Sequence, residues 1–464
     1  MSTFKKSPAI YFKSLELENI RCFKGKQTLD LSRGDGIPAQ WTLLLGDNGV
    51  GKTTLLQCLA WMRPVPEVEE IEEGKKVERT DEAQWIGIIP ALHDATENSV
   101  FEKLLRNHED GESLIRAELI QGTPLSELNS QFNNYEIIST ESIFIGDKKG
   151  ELIEERSDGT RGKKRKLPLV IAYGANRLQA KSYLDIDNDD DPVIALTEIT
   201  KLINVEGFLT SLDYAAAKKE KKAKKHLEKV TKIITEILPG LSGEDPIKIY
   251  GPKLPGDSFG RSGVYCKTPY NWVPMSALSL GYRTTTGWII DLAFRLYIAY
   301  PDSDEPLHEP AIVLIDEIDL HLHPMWQRTI IQNLSKHFRN TQFVATAHSP
   351  LMVQSASDAN LAVLVTDGDH VQINNSPNFL KEWRVDQILT SELFGLTSAR
   401  NEDIEKKIKR RQKLLQVERT SIQEIELQKL SREIEELPSL EAAKDQDALD
   451  FIRRAAAAWQ NKNV

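Results

Sequence analysis

The chain reads as an α/β protein in which a mixed central sheet with flanking helices is split by a large α+β insertion and followed by a helical C-terminal appendage. Three observations predict it. The apolar run at residues 42–45 leads through Gly46-Asp47-Asn48-Gly49-Val50-Gly51-Lys52-Thr53 into a helical pattern over 53–62. A second apolar run, 311–315, ends in Asp316-Glu317, and unbroken runs bounded by polar residues fit strands buried on both faces of a parallel sheet. The two lie far apart in the chain, so something large is inserted between them.

The first motif is a complete phosphate-binding loop in strand-to-helix context. Its glycines let backbone N–H groups approach phosphates, Lys52 reaches the β/γ oxygens of ATP, and the Thr53 hydroxyl coordinates Mg²⁺. A merely steric Gly-rich turn would leave Lys52 facing an anion-shaped nest without an anion. At the end of the second run, Asp316 is placed to hold Mg²⁺ and its waters. Glu317 is placed to orient and deprotonate the attacking water, because phosphoryl transfer needs positioning and electrostatics more than covalent chemistry. Acids at a strand end also serve as helix N-caps, a reading that loses ground once a phosphate loop is present.

Further motifs extend the pattern: Asn19-Ile20-Arg21-Cys22-Phe23, Leu278-Ser279-Leu280-Gly281-Tyr282-Arg283, Asp319 beside the acidic pair, and Thr346-Ala347-His348-Ser349-Pro350. With these the chain resembles the ABC-type P-loop ATPase heads of the SMC, Rad50, RecF and overcoming-lysogenization (OLD) proteins. The resemblance implies a head-to-tail dimer around two ATP molecules. It assigns nucleotide contacts to Arg21, Asp47, Asn48, Gly49, Gly51, Lys52, Thr53 and Thr54, and puts Ser279 and Gly281 on the partner's nucleotide. It also puts Asp319 in a loop crossing the dimer interface and makes His348 the switch residue at the γ-phosphate. Tyr282-Arg283 stands where transporters carry Gly-Gln.

Several of these residues have plainer readings. Ser279 fits an N-cap of a helix over 284–300, whose Ile289, Leu292, Ala293 and Leu296 recur at helical spacing; a helix N-terminus both needs a cap and attracts phosphate. His348 follows a strand over 342–346 and fits a structural hydrogen-bonding role as well as a switch. His321 and His323 share the alternation of a zinc pair, but no cysteine lies nearby, and Leu-His-Pro wording fits the entry to a helix. The run Asp185-Ile186-Asp187-Asn188-Asp189-Asp190-Asp191 lacks the glycine and terminal glutamate of an EF-hand, which favours a solvated acidic loop.

With 464 residues the chain can bury a sizeable core without staples. Cys22, Cys58 and Cys266 are scattered, odd in number and free of C-x-x-C spacing, so neither a disulfide framework nor a cysteine metal site is expected. A cytoplasmic setting follows, with no signal peptide and no membrane-spanning stretch in view. A net charge of −10 argues against indiscriminate nucleic-acid binding.

The expected organisation is residues 1–62 as the first part of the head, 63–274 as the insertion, 275–380 as the second part, and 381–464 as a helical partner or oligomerisation region. The insertion opens on an acidic run at 67–73, passes strand-like 136–138 and 142–145 and a charged linker at 147–166, and returns to the head near 167–177. Arg177, after that last apolar run, fits either a nucleotide-sensing loop or a surface anchor. Residues 193–238 look helical and carry the run Lys218-Lys219-Glu220-Lys221-Lys222-Ala223-Lys224-Lys225, which reads as a solvated face more readily than as a grip on phosphates.

After a strand–turn–strand pattern around Asp367-Gly368-Asp369, the tail turns helical: Ile404, Ile408, Leu415 and Ile422, then Leu427, Leu430, Ile434 and Leu437. This is not the alternating strand–helix pattern of the nuclease domain that OLD proteins carry. An OLD-like head with a helical tail, including 386–396, resembles the PtuA ATPase subunits of Septu antiphage systems, also found with retrons. That likeness implies a separate HNH nuclease subunit, PtuB-like, as partner, and extends to a retron reverse transcriptase with its DNA and RNA. Competing readings are a DNA-repair ATPase of RecF or Rad50 type with DNA as partner, a transporter motor, and a nucleotide-gated scaffold with negligible turnover.

Overall fold

A computed structural model describes residues 9–66, 82–87, 111–128, 135–146, 152–159, 161–163, 167–180, 191–238, 240–241, 243, 245–251, 261–375, 383–390, 402–415 and 420–435. The acidic run at 67–73, Asp185 to Asp190, residues 391–396 and Leu437 lie outside them, as do 147–151, 160 and 164–166 of the expected charged linker, whose described part instead forms the strands Leu152–Gly159 and Arg161–Lys163. Contacts divide the chain into a large unit, residues 1–394, and a small one, 395–464.

The large unit is organised by a six-stranded sheet in the order Val170–Tyr173, Ala311–Ile315, Thr341–Thr346, Trp41–Leu45, Asn360–Asp367, His370–Asn375. The first five strands run parallel, and the last closes the sheet as an antiparallel hairpin through Gly368. Ala311–Ile315 and Trp41–Leu45 are buried at every position, as expected for strands covered on both sides. Successive side chains of a strand point to opposite faces, and here they feed two separate cores. Leu43, Val313 and Phe343 join one, with Trp41 and Phe343 stacked 4.2 Å apart between ring centres. Leu44, Leu314 and Val344 join the other.

Helices cover the first core. Trp288, Ile289, Leu292 and Leu296 come from Leu280–Ala299, Val230, Ile233 and Ile237 from Lys221–Ile237, and Ile330 and Leu334 from Ile330–His337. Each such side chain withdrawn from water contributes on the order of 1.5–3 kcal/mol. The second core lies under Leu55, Leu56 and Leu59 of the helix Lys52–Trp61 and under a five-stranded antiparallel sheet that supplies Leu15, Leu17 and Leu119. In that sheet Gly111–Gly122, from the insertion, pairs directly with the N-terminal strand Ala9–Ile20. The strand-rich part of the insertion therefore continues the N-terminal hairpin.

Some elements differ from their sequence reading. The stretch 193–238 is broken into Pro192–Thr197, the short strand Thr200–Leu202, and the helices Val205–Ala217 and Lys221–Ile237. The lysine run is only partly a solvated face: Lys222 donates to the Pro301 carbonyl at 2.9 Å, and Lys225 to the Asp304 carbonyl and the Glu305 carboxylate at 2.8 Å each, pinning the loop after Leu280–Ala299. Asp191 caps Pro192–Thr197 through Val193 N at 2.7 Å and pairs with Arg63 at 3.0 Å. Its carboxylate thus serves the backbone and a guanidinium.

The small unit contains two antiparallel helices, Glu402–Leu415 and Ser421–Glu435. Arg410 grips Glu426 with two 2.9 Å bonds and Lys407 reaches Glu433 at 2.7 Å, while Leu414 and Leu427 are buried. Ile422 and Ile425, three apart on one helix, stay 80% and 69% exposed.

Candidate active site

The strand Trp41–Leu45 delivers the chain into the glycine loop, and the helix Lys52–Trp61 starts with Gly51 as its N-cap, at φ 90°. Two constraints fix that glycine. The left-handed backbone disfavours side chains, and a Cβ there would sit 2.5 Å from Cys22 Sγ and 3.0 Å from the Phe23 ring. The motif Asn19 to Phe23 is thereby explained as a prop for the loop. Asn19 and Arg21 both take positive φ, 55° and 46°, Asn19 Oδ1 accepts from Gly25 N at 2.9 Å, and Arg21 donates to Thr54 Oγ1 at 2.9 Å and Gln57 Oε1 at 3.0 Å. Asp47, Asn48 and Gly49 are exposed at the loop's tip.

Lys52 is only 6% exposed, and its ammonium donates to the carbonyls of Gly46 at 2.8 Å and Asp47 at 2.7 Å. Burial draws its pKa below the ordinary lysine value, opposed by Asp316, Asp47, Glu317 and Asp319. The loop's amides, the helix N-terminus and this ammonium make a site for a polyphosphate.

The acids all follow one strand, Ala311–Ile315, which Thr341–Thr346 separates from Trp41–Leu45. Thr53 Oγ1 donates to Asp316 Oδ2 at 2.9 Å, and Thr346 Oγ1 donates to Asp316 Oδ1 at 2.7 Å. The same Thr346 hydroxyl accepts from Glu317 N at 2.7 Å, holding Glu317 at φ 50°. His348 N donates to Asp319 Oδ2 at 2.9 Å, so both belong to one corner of the site. The oxygen donors Thr53 and Asp316 suit Mg²⁺, a hard cation that takes oxygen ligands.

Ser279 is the N-terminal cap residue of Leu280–Ala299, but its side chain makes no capping bond and is exposed. The helix begins at Leu280, four residues earlier than its apolar periodicity indicates. Gly281 allows this: a Cβ at that position would lie 2.5 Å from the His321 carbonyl oxygen. That glycine joins the serine-led helix to the loop after the acids within one chain. Gly281→Ala is expected to force these elements apart, costing about 1–3 kcal/mol as overpacking does. A melting curve would show it as a lowered Tm, and an unchanged Tm would mean the two elements yield freely. His323 Nδ1 accepts from Met325 N at 3.3 Å, capping Pro324–Gln327, which is the helix-entry role rather than that of a zinc ligand.

Two residues matter more than their sequence context suggests. Thr346 reads as an ordinary strand residue, yet it bridges both acids. Arg177 is no surface anchor: it is 9% exposed and donates to the carbonyls of Gly174 at 2.7 Å, Asp316, and Glu317 at 3.4 Å. Burial lowers its pKa to about 10, which leaves it cationic at neutral pH. Lys229 and Glu305 form a further close pair away from the site.

Comparison with known proteins agrees with this geometry. Residues 14–242 match a family described as AAA domain, and residues 269–353 one described as AAA domain, putative AbiEii toxin, Type IV TA system. The Septu protein PtuA of Bacillus mycoides is 26% identical over 83% of this chain and 45% of its own length. The "Retron Ec83 probable ATPase" of Escherichia coli is 47% identical over 26% of this chain and 23% of its own. The chain thus spans less than half the length of these relatives. The SMC head domain from Thermotoga maritima superposes with a TM-score of 0.40 at 13% identity, over 78% of this chain and 98% of that one. The phosphate loop, the acidic strand end and these AAA-domain matches support a P-loop ATPase fold, and the chain is similar to PtuA. Among the described residues no helix is long and apolar enough to cross a membrane.

Proposed function

We propose that this P-loop ATPase binds and hydrolyses ATP, dimerises around it, and uses the cycle to control a separate effector, an HNH nuclease subunit in antiphage defence. The interlock of Thr53, Asp316 and Thr346 carries the reading. Three strands that are distant in sequence converge to put two hydroxyls on one carboxylate beside a glycine-capped helix N-terminus.

Within that reading the loop amides at 46–53 and Lys52 bind the phosphates of ATP. Thr53 and Asp316 would hold Mg²⁺, which when bound would supply neutralisation of the phosphate charge. Glu317 takes a proton from the attacking water as its oxygen bonds to the γ-phosphorus and the bond to the ADP oxygen breaks. His348, with its backbone held on Asp319, lies on the same rim and contacts the γ-phosphate. The exposed Ser279 at the head of its helix, with Gly281 behind it, faces the nucleotide of a second copy. Its hydroxyl is not consumed by a cap, which suits an intermolecular contact. Arg21 acts at one remove, by steadying Thr54 on the phosphate-loop helix.

The effector is proposed from the likeness to PtuA, and the small helical unit is the proposed handle for it, since Ile422 and Ile425 form an apolar pair facing water. Tagged full-length chain is expected to retain its nuclease partner from its native host, identified by mass. A chain ending at Phe394 should bind ATP equally well yet lose that partner or its higher-order assembly. Unchanged assembly of the shortened chain on a sizing column would remove the tail from this role.

A further inference from the structure

Glu317 presents a local problem: it stands in the left-handed region, φ 50°, where non-glycine residues are uncommon. Something must hold it there. On one side the Thr346 hydroxyl takes its amide, and the next amide, Ile318 N, reaches the Thr346 carbonyl at 3.0 Å. On the other side a single buried guanidinium covers the carbonyls of both acids: Arg177 donates to Asp316 O and Glu317 O while a third bond ties it to Gly174 O. Arg177 sits four residues beyond Tyr173, whose own carbonyl accepts from Asp316 N at 2.8 Å. The strand Val170–Tyr173 and its trailing arginine therefore bracket Asp316 from its amide to its carbonyl.

The bracket also reaches the serine-led helix. Tyr173 donates its hydroxyl to Asp291 of Leu280–Ala299 at 2.9 Å, and Asp291 accepts Ile203 N at 2.9 Å and Arg295 Nε at 2.7 Å. Ile203 follows Thr200–Leu202, the strand paired with Arg177–Gln179. Both routes begin in the segment that returns from the insertion.

We infer that Arg177 is a positioning residue for hydrolysis, a carbonyl clamp that fixes the backbone of Asp316 and Glu317 so that the Glu317 carboxylate meets the attacking water. The inference rests on the proposed hydrolysis at this site. An arginine suits the task because its planar fork presents several donors in fixed directions, whereas a lysine ammonium serves as a point charge on a flexible stem. The clamp touches no phosphate. It acts on the rate of the chemical step and leaves nucleotide binding to the loop at 46–53.

Three measurements test it on the full chain and on Arg177→Ala and Arg177→Lys, the second guarding against a misfolded alanine variant. ATP affinity should stay within about threefold, while kcat falls roughly 10- to 100-fold in Arg177→Ala, the scale of a small misplacement of a reacting group, and less in Arg177→Lys. Amide hydrogen exchange across 316–318 should quicken in Arg177→Ala without nucleotide present. Equal losses of kcat and ATP affinity, or an unaltered kcat, would overturn the clamp. If the parent chain itself hydrolyses no ATP, the ATPase reading fails. Exchange at 316–318 then decides the clamp separately, and an unchanged rate there would dismiss it.

Discussion

Glu317→Gln is expected to cut ATP hydrolysis by about two to four orders of magnitude, the usual contribution of a positioned general base, while leaving ATP affinity near the parent value. Glutamine is the right probe because it keeps the length of the side chain and should tolerate the same left-handed backbone, whose amide is held by Thr346. With chemistry blocked and binding intact, ATP-bound dimers should accumulate and elute ahead of the nucleotide-free chain. Hydrolysis by Glu317→Gln at the parent rate would remove this carboxylate from the role of base. Hydrolysis lost without accumulation of dimers would instead separate catalysis from dimerisation.

Lys52→Ala should fail earlier, at binding. Two hydrogen bonds from an ammonium to phosphate oxygens, at roughly 1.5–3 kcal/mol each, imply a loss of about 100-fold or more in ATP affinity. The control is a melting curve. Lys52 also satisfies the carbonyls of Gly46 and Asp47, so alanine can disturb the loop itself, and Lys52→Arg restores a cation that keeps the fold question apart from the phosphate question. Parental affinity in Lys52→Ala, measured by equilibrium binding, would sink the assignment of the glycine loop as the phosphate site.

Much of this was legible in the sequence because parallel strands covered on both faces must be apolar throughout. Residues 42–45 and 311–315 have few other ways to fold, and each ends at a motif whose residue types are chemically demanding. What stayed hidden depends on neighbours. Thr346 gains its importance only because Thr341–Thr346 lies between Ala311–Ile315 and Trp41–Leu45, an order that no local pattern encodes. Arg177 fitted either a nucleotide-sensing loop or a surface anchor, because an arginine after a strand suits both; sheet order places it beneath the carbonyls of the two acids instead. The early start of Leu280–Ala299 escaped for a related reason, since Gly281-Tyr282-Arg283 carries no apolar period and the need for glycine comes from the His321 carbonyl. The N-terminal sheet was missed as a unit because the second partner of Ala9–Ile20 comes some hundred residues later.

The strand Trp41–Leu45 has both of its hydrogen-bonding neighbours, Thr341–Thr346 and Asn360–Asp367, near the far end of the large unit, and Phe12 is likewise paired with Gln342. During synthesis, therefore, this strand must wait with two bare edges while some three hundred residues leave the ribosome. At roughly 5–20 residues per second that exposure lasts on the order of tens of seconds. The antiparallel hairpins and the insertion can form in the meantime, but the sheet's middle cannot. Maturation of the protein is consequently slow and vulnerable to self-association, and a nascent chain arrested before residue 340 holds its glycine loop on an unfinished support.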